Sequence, residues 1–313
     1  MPSPRVHDLP ATDATTVVGV IDAATPPVLA IESGDELRIE TRHLWGGEIV
    51  DGTTVADLVQ MRDSHMGAGA LGPHTITGPV EVIGARPGDA LHVEMLELAH
   101  GPHGYNLILP GAIATGVLAE RLPEPSMTHY DLTGGRVELA PGLDVELAPF
   151  LGILGVAPAV DGPLTTFEPG PFGGNIDLRD LVEGTTLVLP VFRPGAGFYT
   201  GDAHALQGDG EVDQTALETT MDARLRLTLE PGAGIELPRA LTADHVIPLA
   251  FDRDLDEAAR AAVSEAVDII AAARGIAAAE AYRLCSICVD IGITQLVNGV
   301  KGAHARIPRE LLA

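Results

Sequence analysis

A chain of 313 residues with 46% apolar content can bury a substantial core, as one large unit or as two. Its formal net charge of −25, from 44 acidic against 19 basic residues, repels nucleic acid and anionic membrane and excludes both as partners. No run approaches the roughly 18 apolar residues of a membrane span, and MPSPRVHDLP lacks the charged start and apolar stretch of a secretory signal. The location expected is therefore cytoplasmic.

The 36 glycines and 24 prolines are scattered between apolar runs, which predicts many turns between short strands. Strand-like runs come first, at VVGVI 17–21, at ELRIETR 36–42 and around Glu48–Val50. From Met61 to Pro79 the glycines, histidines and prolines predict a flexible stretch with no single regular element. PVEVIG then reads as a strand, and after the turn ARPGD, ALHVEMLEL alternates, with Leu91, Val93 and Met95 on one face. Gly101 to Pro125 reads as a Gly/Pro-rich excursion, followed by short strands at Arg136–Leu139 and Leu143–Leu147. PFLGILGVAPA carries too many glycines and prolines for a helix, and TTLVLPVF at 185–192 reads as a strand. The clearest amphipathic strand is MDARLRLTLE, with Met221, Ala223, Leu225, Leu227 and Leu229 on one face.

Near Asp254 the pattern changes. DLDEAARAAVSEAVDIIAAAR has helical apolar spacing, acidic residues at its start and Arg274–Gly275 at its end, matching the dipole and a glycine stop. Ala277–Cys285 predicts a further helix and CVDIGITQLV a strand. The fold class expected is mainly β, with sandwich- or barrel-like layers and a smaller C-terminal α/β portion. Three segments follow: a β-rich region over 1–160, a second over 161–250, and an α/β portion over 251–313 that completes the same unit.

The segment richest in chemistry is GDAHALQGDGEVDQTALE, Gly201–Glu218. In an extended run Asp202 and His204 project from one face and can bind a divalent ion or share a proton. Asp209 and Glu211 flank Gly210 in a turn, and Glu218 leads towards the amphipathic strand. Carboxylates with imidazole suit zinc or, with more oxygen ligands, calcium. The same residues would also suit an acidic surface turn with a satisfied Asp–His pair. Ser64, His65 and His74, the segment GGNID at 173–177, and the pair His103 and Tyr105 could converge on this site or serve local packing. No GxSxG elbow, HExxH or EF-hand pattern is present, and no Rossmann or P-loop fingerprint in the context that each requires. Cys285 and Cys288 are expected to be buried free thiols, with redox or metal use as the alternative.

Several segments, in order, resemble the acetamidase/formamidase family: GPHTITGPVEVIGARPGDALHVEML at 72–96, APFLGILGVAPA at 148–159, EPGPFGGNIDLRDLVEGTTLVLPVF at 168–192, GFYTGDAHALQGDGEVDQTALE at 197–218 and YRLCSICVDIGITQLVNGVKGAHARIPRELL at 282–312. The resemblance runs from about Val17 to Leu312 and is most specific where GGNID is followed by GDAHALQGDGE. It implies hydrolysis of formamide or acetamide, a mainly β fold, a divalent metal and a homo-oligomer. By motif position it points to His74, Asn175, Asp177, Asp202, His204, Asp209, Glu211 and Glu218 as site residues. Their chemistry assigns Asp202 and His204 to a metal, zinc ahead of calcium, with His74 or Asp177 completing the set. Glu211 or Glu218 would move protons, Asn175 or a turn amide would face the developing oxyanion, and Asp209 joins the catalytic set. HLWGGEI at 43–49 departs from the acidic-start, glycine-rich segment often found there, so Trp45 could reshape an amide pocket or simply pack against a sheet. The alternatives are a related hydrolase acting on another small amide and a non-catalytic metal- or small-molecule-binding protein.

Overall fold

Alternation of apolar and polar residues builds two nine-stranded sheets, and their apolar faces pack against each other. In the computed structural model, which describes residues 4–109 and 111–313, the protein is mainly β with a C-terminal helical portion. The first three residues and Pro110, the latter within the expected Gly/Pro-rich excursion, lie outside the described residues. One sheet runs in the order Val6–Leu9, Glu36–Glu40, Met221–Glu230, Ala90–His100, Thr186–Pro190, Arg239–Leu241, His245–Asp252, Lys301–Pro308 and Asp290–Gln295. The other follows Gly173–Asn175, Phe150–Gly155, Phe198–Leu206, Leu217–Thr219, His103–Ile108 and Ser126–Asp131. Thr75–Val82 also joins it, pairing with Phe198–Leu206, Thr16–Val18 and Leu29–Ile31.

The core between the sheets is one apolar cluster. Leu91, Val93, Met95, Leu225 and Leu227 come from the first sheet, and Val80, Leu151, Leu154 and Phe198 from the second. On the outer face of the first sheet the alternate residues are charged and paired. Arg226 bridges Glu36 at 2.8 Å and Glu94 at 2.7 Å, and Arg224 meets Glu36 at 3.0 Å. The helix Leu255–Arg274 buries Ala258, Ala262, Ala266 and Ile270, four residues apart, against strands His245–Asp252 and Lys301–Pro308. Asp254 caps its start by accepting from the Asp256 amide, and Gly275 closes it in the left-handed conformation at φ +63°. Among the described residues no helix is long and apolar enough to cross a membrane.

Three local expectations need correction. The stretch beginning at Met61 continues a helix, Val55–Gly67, before the strand Thr75–Val82 takes over. Its start is a capping box: the Thr54 hydroxyl accepts from the Asp57 amide, and the Asp57 carboxylate accepts from the Thr54 amide. Glu48–Val50 forms no strand, because it links the short helical turn Leu44–Gly47 to that capping box. The Gly/Pro-rich excursion opens with a strand, His103–Ile108, held antiparallel to Ser126–Asp131 over six residue pairs. Of the two cysteines, Cys285 is buried in the helix–sheet core and Cys288 is exposed, three residues on along the helix Ala278–Cys288.

The Thr54 cap is exposed, so its loss tests the helix start alone. Thr54→Ala should cost about 1 kcal/mol of unfolding free energy, read from urea denaturation with an unchanged m-value.

Candidate active site

The strand Phe198–Leu206 is buried along almost its whole length and carries the centre of the site. Phe198 and Ala203 both face the inter-sheet core, so inside–outside alternation slips by one residue along it. Asp202 sits at the slip with φ +55°, a backbone region rare for a residue with a side chain. There one edge of the strand changes partner, from Thr75–Val82 (Gly201 opposite Ile76) to Leu217–Thr219 (Ala203 opposite Thr219). Asp202 and His204 project together into this seam, as the spacing predicts. Register then sets Glu218 directly opposite His204.

The result is a buried cluster. His204 Nε2 lies 3.4 Å from both Asp202 Oδ2 and Glu218 Oε1, and His204 Nδ1 lies 3.9 Å from Asp177 Oδ1. Neither ring nitrogen forms a well-aligned hydrogen bond, so these atoms converge on common points and not on one another. Asp202, His204 and Glu218 form one set whose ligand atoms all lie within 4.8 Å, and Asp177, His204 and Glu211 form another. His74 enters from the strand junction, with Nε2 3.7 Å from Asp202 Oδ2 and Nδ1 3.1 Å from the Thr166 hydroxyl.

The acids are held by Asn175, which the GGNID motif marks, and by Asn298 and Gln207, which are not among the expected site residues. Asn298 donates to Asp177 Oδ2 at 2.6 Å, and Gln207 donates to the Asp177 carbonyl at 2.9 Å. With its amide nitrogen towards the carboxylates, Asn175 donates to Asp202 Oδ2 at 3.0 Å and accepts from Asn298 at 2.9 Å. Asp177 and Glu211, like Asp202, have positive φ, at +47° and +45°. Glu211 is carried there because the GDG turn docks on the end of the strand Asp290–Gln295: Gly210 donates to the Thr294 carbonyl and accepts from the Leu296 amide.

Electrostatics follow from burial. Glu218 is pushed up to about 8, first by burial and then by Asp202 and Asp177, against the pull of His204. Burial acts on Asp202 in the same direction, but the neighbouring His74 and His204 bring it down to about 2. Burial disfavours the His204 imidazolium, yet Glu218 and Asp202 outweigh it and raise this group to about 10. Glu211 is driven well above the carboxylate range by burial and by Asp177, Glu218 and Asp202. Four carboxyls and one imidazole in this space cannot all be charged without a further cation.

The cluster forms the floor of a cavity of about 370 Å³, into which His74, Asn175, Asp202, Glu211 and Glu218 open. Its walls are mostly apolar, including Leu44, Trp45, Leu58, Leu107 and Phe167. Trp45 packs in a buried cluster with Leu58 and Tyr105 and lines the cavity. One site expectation is corrected. Asp209 does not reach the cavity, because its carboxylate turns outward to Arg306 at 3.2 Å. Ser64 and His65 also stay outside the cluster, with His65 bonded to Glu48 at 2.7 Å.

This arrangement sits on a chain whose residues 21–166 and 162–234 match the family model described as the acetamidase/formamidase family. The chain belongs to the acetamidase/formamidase family. It is 25% identical over 239 residues to a formamidase of Methylophilus methylotrophus and 26% identical over 248 residues to an acetamidase of Mycolicibacterium smegmatis. Each alignment takes in 60% of this chain, and 57% and 59% of those relatives, so the chain spans less than two thirds of their length. The crystal structure of an acetamidase from Bacillus halodurans superposes with a TM-score of 0.88 at 30% identity, covering 97% of this chain and 98% of that one.

In this family member Gly152 shows how tightly the cluster is packed. A methyl group built on it would lie 2.6 Å from Asp177 Oδ1 and 2.8 Å from His204 Cε1. Gly152→Ala should therefore cost about 1–3 kcal/mol through overpacking. Gly208→Ala, where a methyl group meets nothing within 4 Å, should stay within about 0.5 kcal/mol in the same denaturation assay.

Proposed function

We propose that this chain hydrolyses a small aliphatic amide, formamide or acetamide, to the carboxylate and ammonia with the help of a divalent metal. The observation that carries the reading is the buried convergence of Asp202, His204 and Glu218 at the floor of an apolar cavity, in a member of this family. The donor set fits a metal: His204 has two buried nitrogens without hydrogen-bond partners, and carboxyl oxygens of Asp202 and Glu218 converge beside one of them. Asp202, His204 Nε2 and Glu218 would hold the ion, zinc ahead of calcium, with His74 beside them and Asp177 on the far side of the ring. When bound, such an ion supplies Lewis acidity that polarises a carbonyl and acidifies water.

The chain's own residues supply the remaining chemistry. Glu211 faces the cavity with a buried, unpartnered Oε2 and is the group that takes a proton from water and returns one to the departing nitrogen. A carboxyl with raised proton affinity suits that second transfer, since an unprotonated amide nitrogen leaves poorly. Asn175 is occupied by carboxylates and by Asn298, so it acts as a positioning residue and not as the oxyanion donor first considered. The apolar walls keep bulk water away and strengthen each electrostatic contact inside.

A second reading, hydrolysis of a larger amide, rests on the cavity volume of about 370 Å³, which falls in the range that accommodates drug-sized ligands. Relative rates of ammonia release across formamide, acetamide, propionamide and longer amides separate the two. The reading also includes a cytoplasmic homo-oligomer. Support for the oligomer is the exposed apolar side chains Tyr282 and Ile287 on the helix Ala278–Cys288 and Ile291 on the edge strand Asp290–Gln295, and light scattering at working concentration tests it.

Chelation should abolish ammonia release and zinc should restore it; full turnover in a verified metal-free sample would overturn the metal reading. Glu211→Gln should keep the fold and most of the metal while lowering single-turnover hydrolysis roughly 10²–10⁴-fold. Glu218→Gln should instead lose metal. If only Glu218→Gln stops the chemical step with metal retained, the two roles are exchanged.

A further inference from the structure

A second set of metal-ligating side chains lies outside the acidic cavity. Asp51, His103 and His129 each offer a ligand atom, and these atoms all lie within 4.8 Å of one another. They come from three places: the turn preceding the helix Val55–Gly67, the start of His103–Ile108, and the middle of its partner strand Ser126–Asp131. The strand register sets His129 opposite Tyr105, so the two imidazoles stack at 5.1 Å with planes 20° apart.

The hydrogen bonds settle which nitrogen is which. His129 Nε2 lies 2.7 Å from the Thr53 carbonyl oxygen, which can only accept, so Nε2 carries the proton and Nδ1 presents its lone pair. That lone pair meets His103 Nε2 at 2.8 Å. An imidazole whose far N–H is fixed on a backbone carbonyl, with its other nitrogen turned to a second imidazole beside a carboxylate, has the outer-shell arrangement of a metal ligand. In the metal-free protein His103 donates to His129. With a cation in place His103 would take the other tautomer, exchanging its Nε2 proton through solvent for one on Nδ1, and both lone pairs would face the ion.

We propose that Asp51, His103 and His129 form a second metal site, taking zinc or another borderline divalent cation such as cobalt or nickel. Two imidazoles and a carboxylate suit these ions, and three protein ligands leave a fourth position for water. The site would clamp residues 51–54 to the strand pair. It would thereby fix the head of the helix that contributes Leu58, Arg62 and Met66 to the cavity wall. A third cluster, Asp180, Asp209 and His304, does not qualify, because Arg306 already bonds Asp180 at 2.7 Å and Asp209 at 3.2 Å.

The inference does not depend on the amide-hydrolase reading, and its test uses metal content and stability alone. Full-length protein carrying Asp202→Asn and His204→Gln, which disable the acidic cavity as a metal site, is stripped with chelator and titrated with Co2+ and Zn2+. The expected result is one retained equivalent, a visible Co2+ absorption from nitrogen ligation, and a rise in thermal midpoint with Zn2+. Adding His129→Gln should abolish all three. Asp51→Asn, at an exposed position that the fold does not need, should weaken Co2+ by at least the roughly 10–100-fold that loss of an outer-shell partner costs. If the His129→Gln protein is misfolded by circular dichroism, the Asp51→Asn titration decides. No bound equivalent in the cavity-disabled background, or affinity unchanged by Asp51→Asn and His129→Gln, overturns the proposal.

Discussion

Four carboxyls buried around one imidazole are the constraint to which this fold answers. A buried carboxylate costs several kcal/mol in desolvation unless hydrogen bonds and opposite charge offset it. The chain meets that cost from distant parts of its length. Asn298 comes from the C-terminal segment and donates to the Asp177 carboxylate, and Asn175 comes from the short strand Gly173–Asn175 and donates to the Asp202 carboxylate. Three of the acids, Asp177, Asp202 and Glu211, also hold positive φ. Strain of this kind persists only where surrounding structure over-determines it, and here both sheets and the C-terminal strand do so. The large apolar core between the sheets is what makes so costly a cluster tolerable, because it stabilises the strands that hold the acids in place.

The strand Phe198–Leu206 links packing to chemistry. Its first half belongs to the core through Phe198, and its second half belongs to the site through Asp202 and His204. A strand with regular alternation from Phe198 would put Ala203 on the face opposite Phe198, yet both lie in the same core. The slip at Asp202 reconciles the two demands. It also explains why Gly152 lies opposite: any side chain there would occupy the space in which Asp177 and His204 meet.

Much of this was legible in the sequence, and the missing parts share a physical cause. The helix Leu255–Arg274 announced itself because its alanines repeat every fourth residue and both ends carry cap residues. The strand Met221–Glu230 did so through strict alternation. The helix Val55–Gly67 was missed because only Leu58 is buried along it, leaving no apolar stripe to read; its one clear signal was the Thr54–Asp57 capping box. In the site, GDAHALQGDGE and GGNID correctly marked residues that meet in space. Asn298, Gln207 and Gly152 were invisible because their importance comes from neighbours far along the chain. Asp209 was misjudged for the same reason: it shares a turn with Glu211, but the two sides of that turn face different surroundings.

Arg306 supplies an internal comparison for the acidic cavity. Asp180 and Asp209 approach each other near His304, much as Asp202 and Glu218 approach each other near His204. In the first case the chain provides the cation itself, since the Arg306 guanidinium takes both oxygens of Asp180 and one of Asp209. Asp180 is accordingly held below the ordinary carboxylate range by Arg306 even though burial acts in the opposite direction. Among the described residues no arginine or lysine is paired with the acids around His204, and the basic groups paired with Asp202 are His74 and His204. Glu218 and Glu211 consequently rise where Asp180 falls. A guanidinium is permanent and fills its place, so the Asp180 cluster can serve only as a structural tie. A cluster with no permanent cation of its own, at the floor of an apolar cavity, leaves its acids free to hold and release protons. The presence of a built-in guanidinium in one cluster and its absence from the other separates a structural tie from a group of acids whose protonation can change.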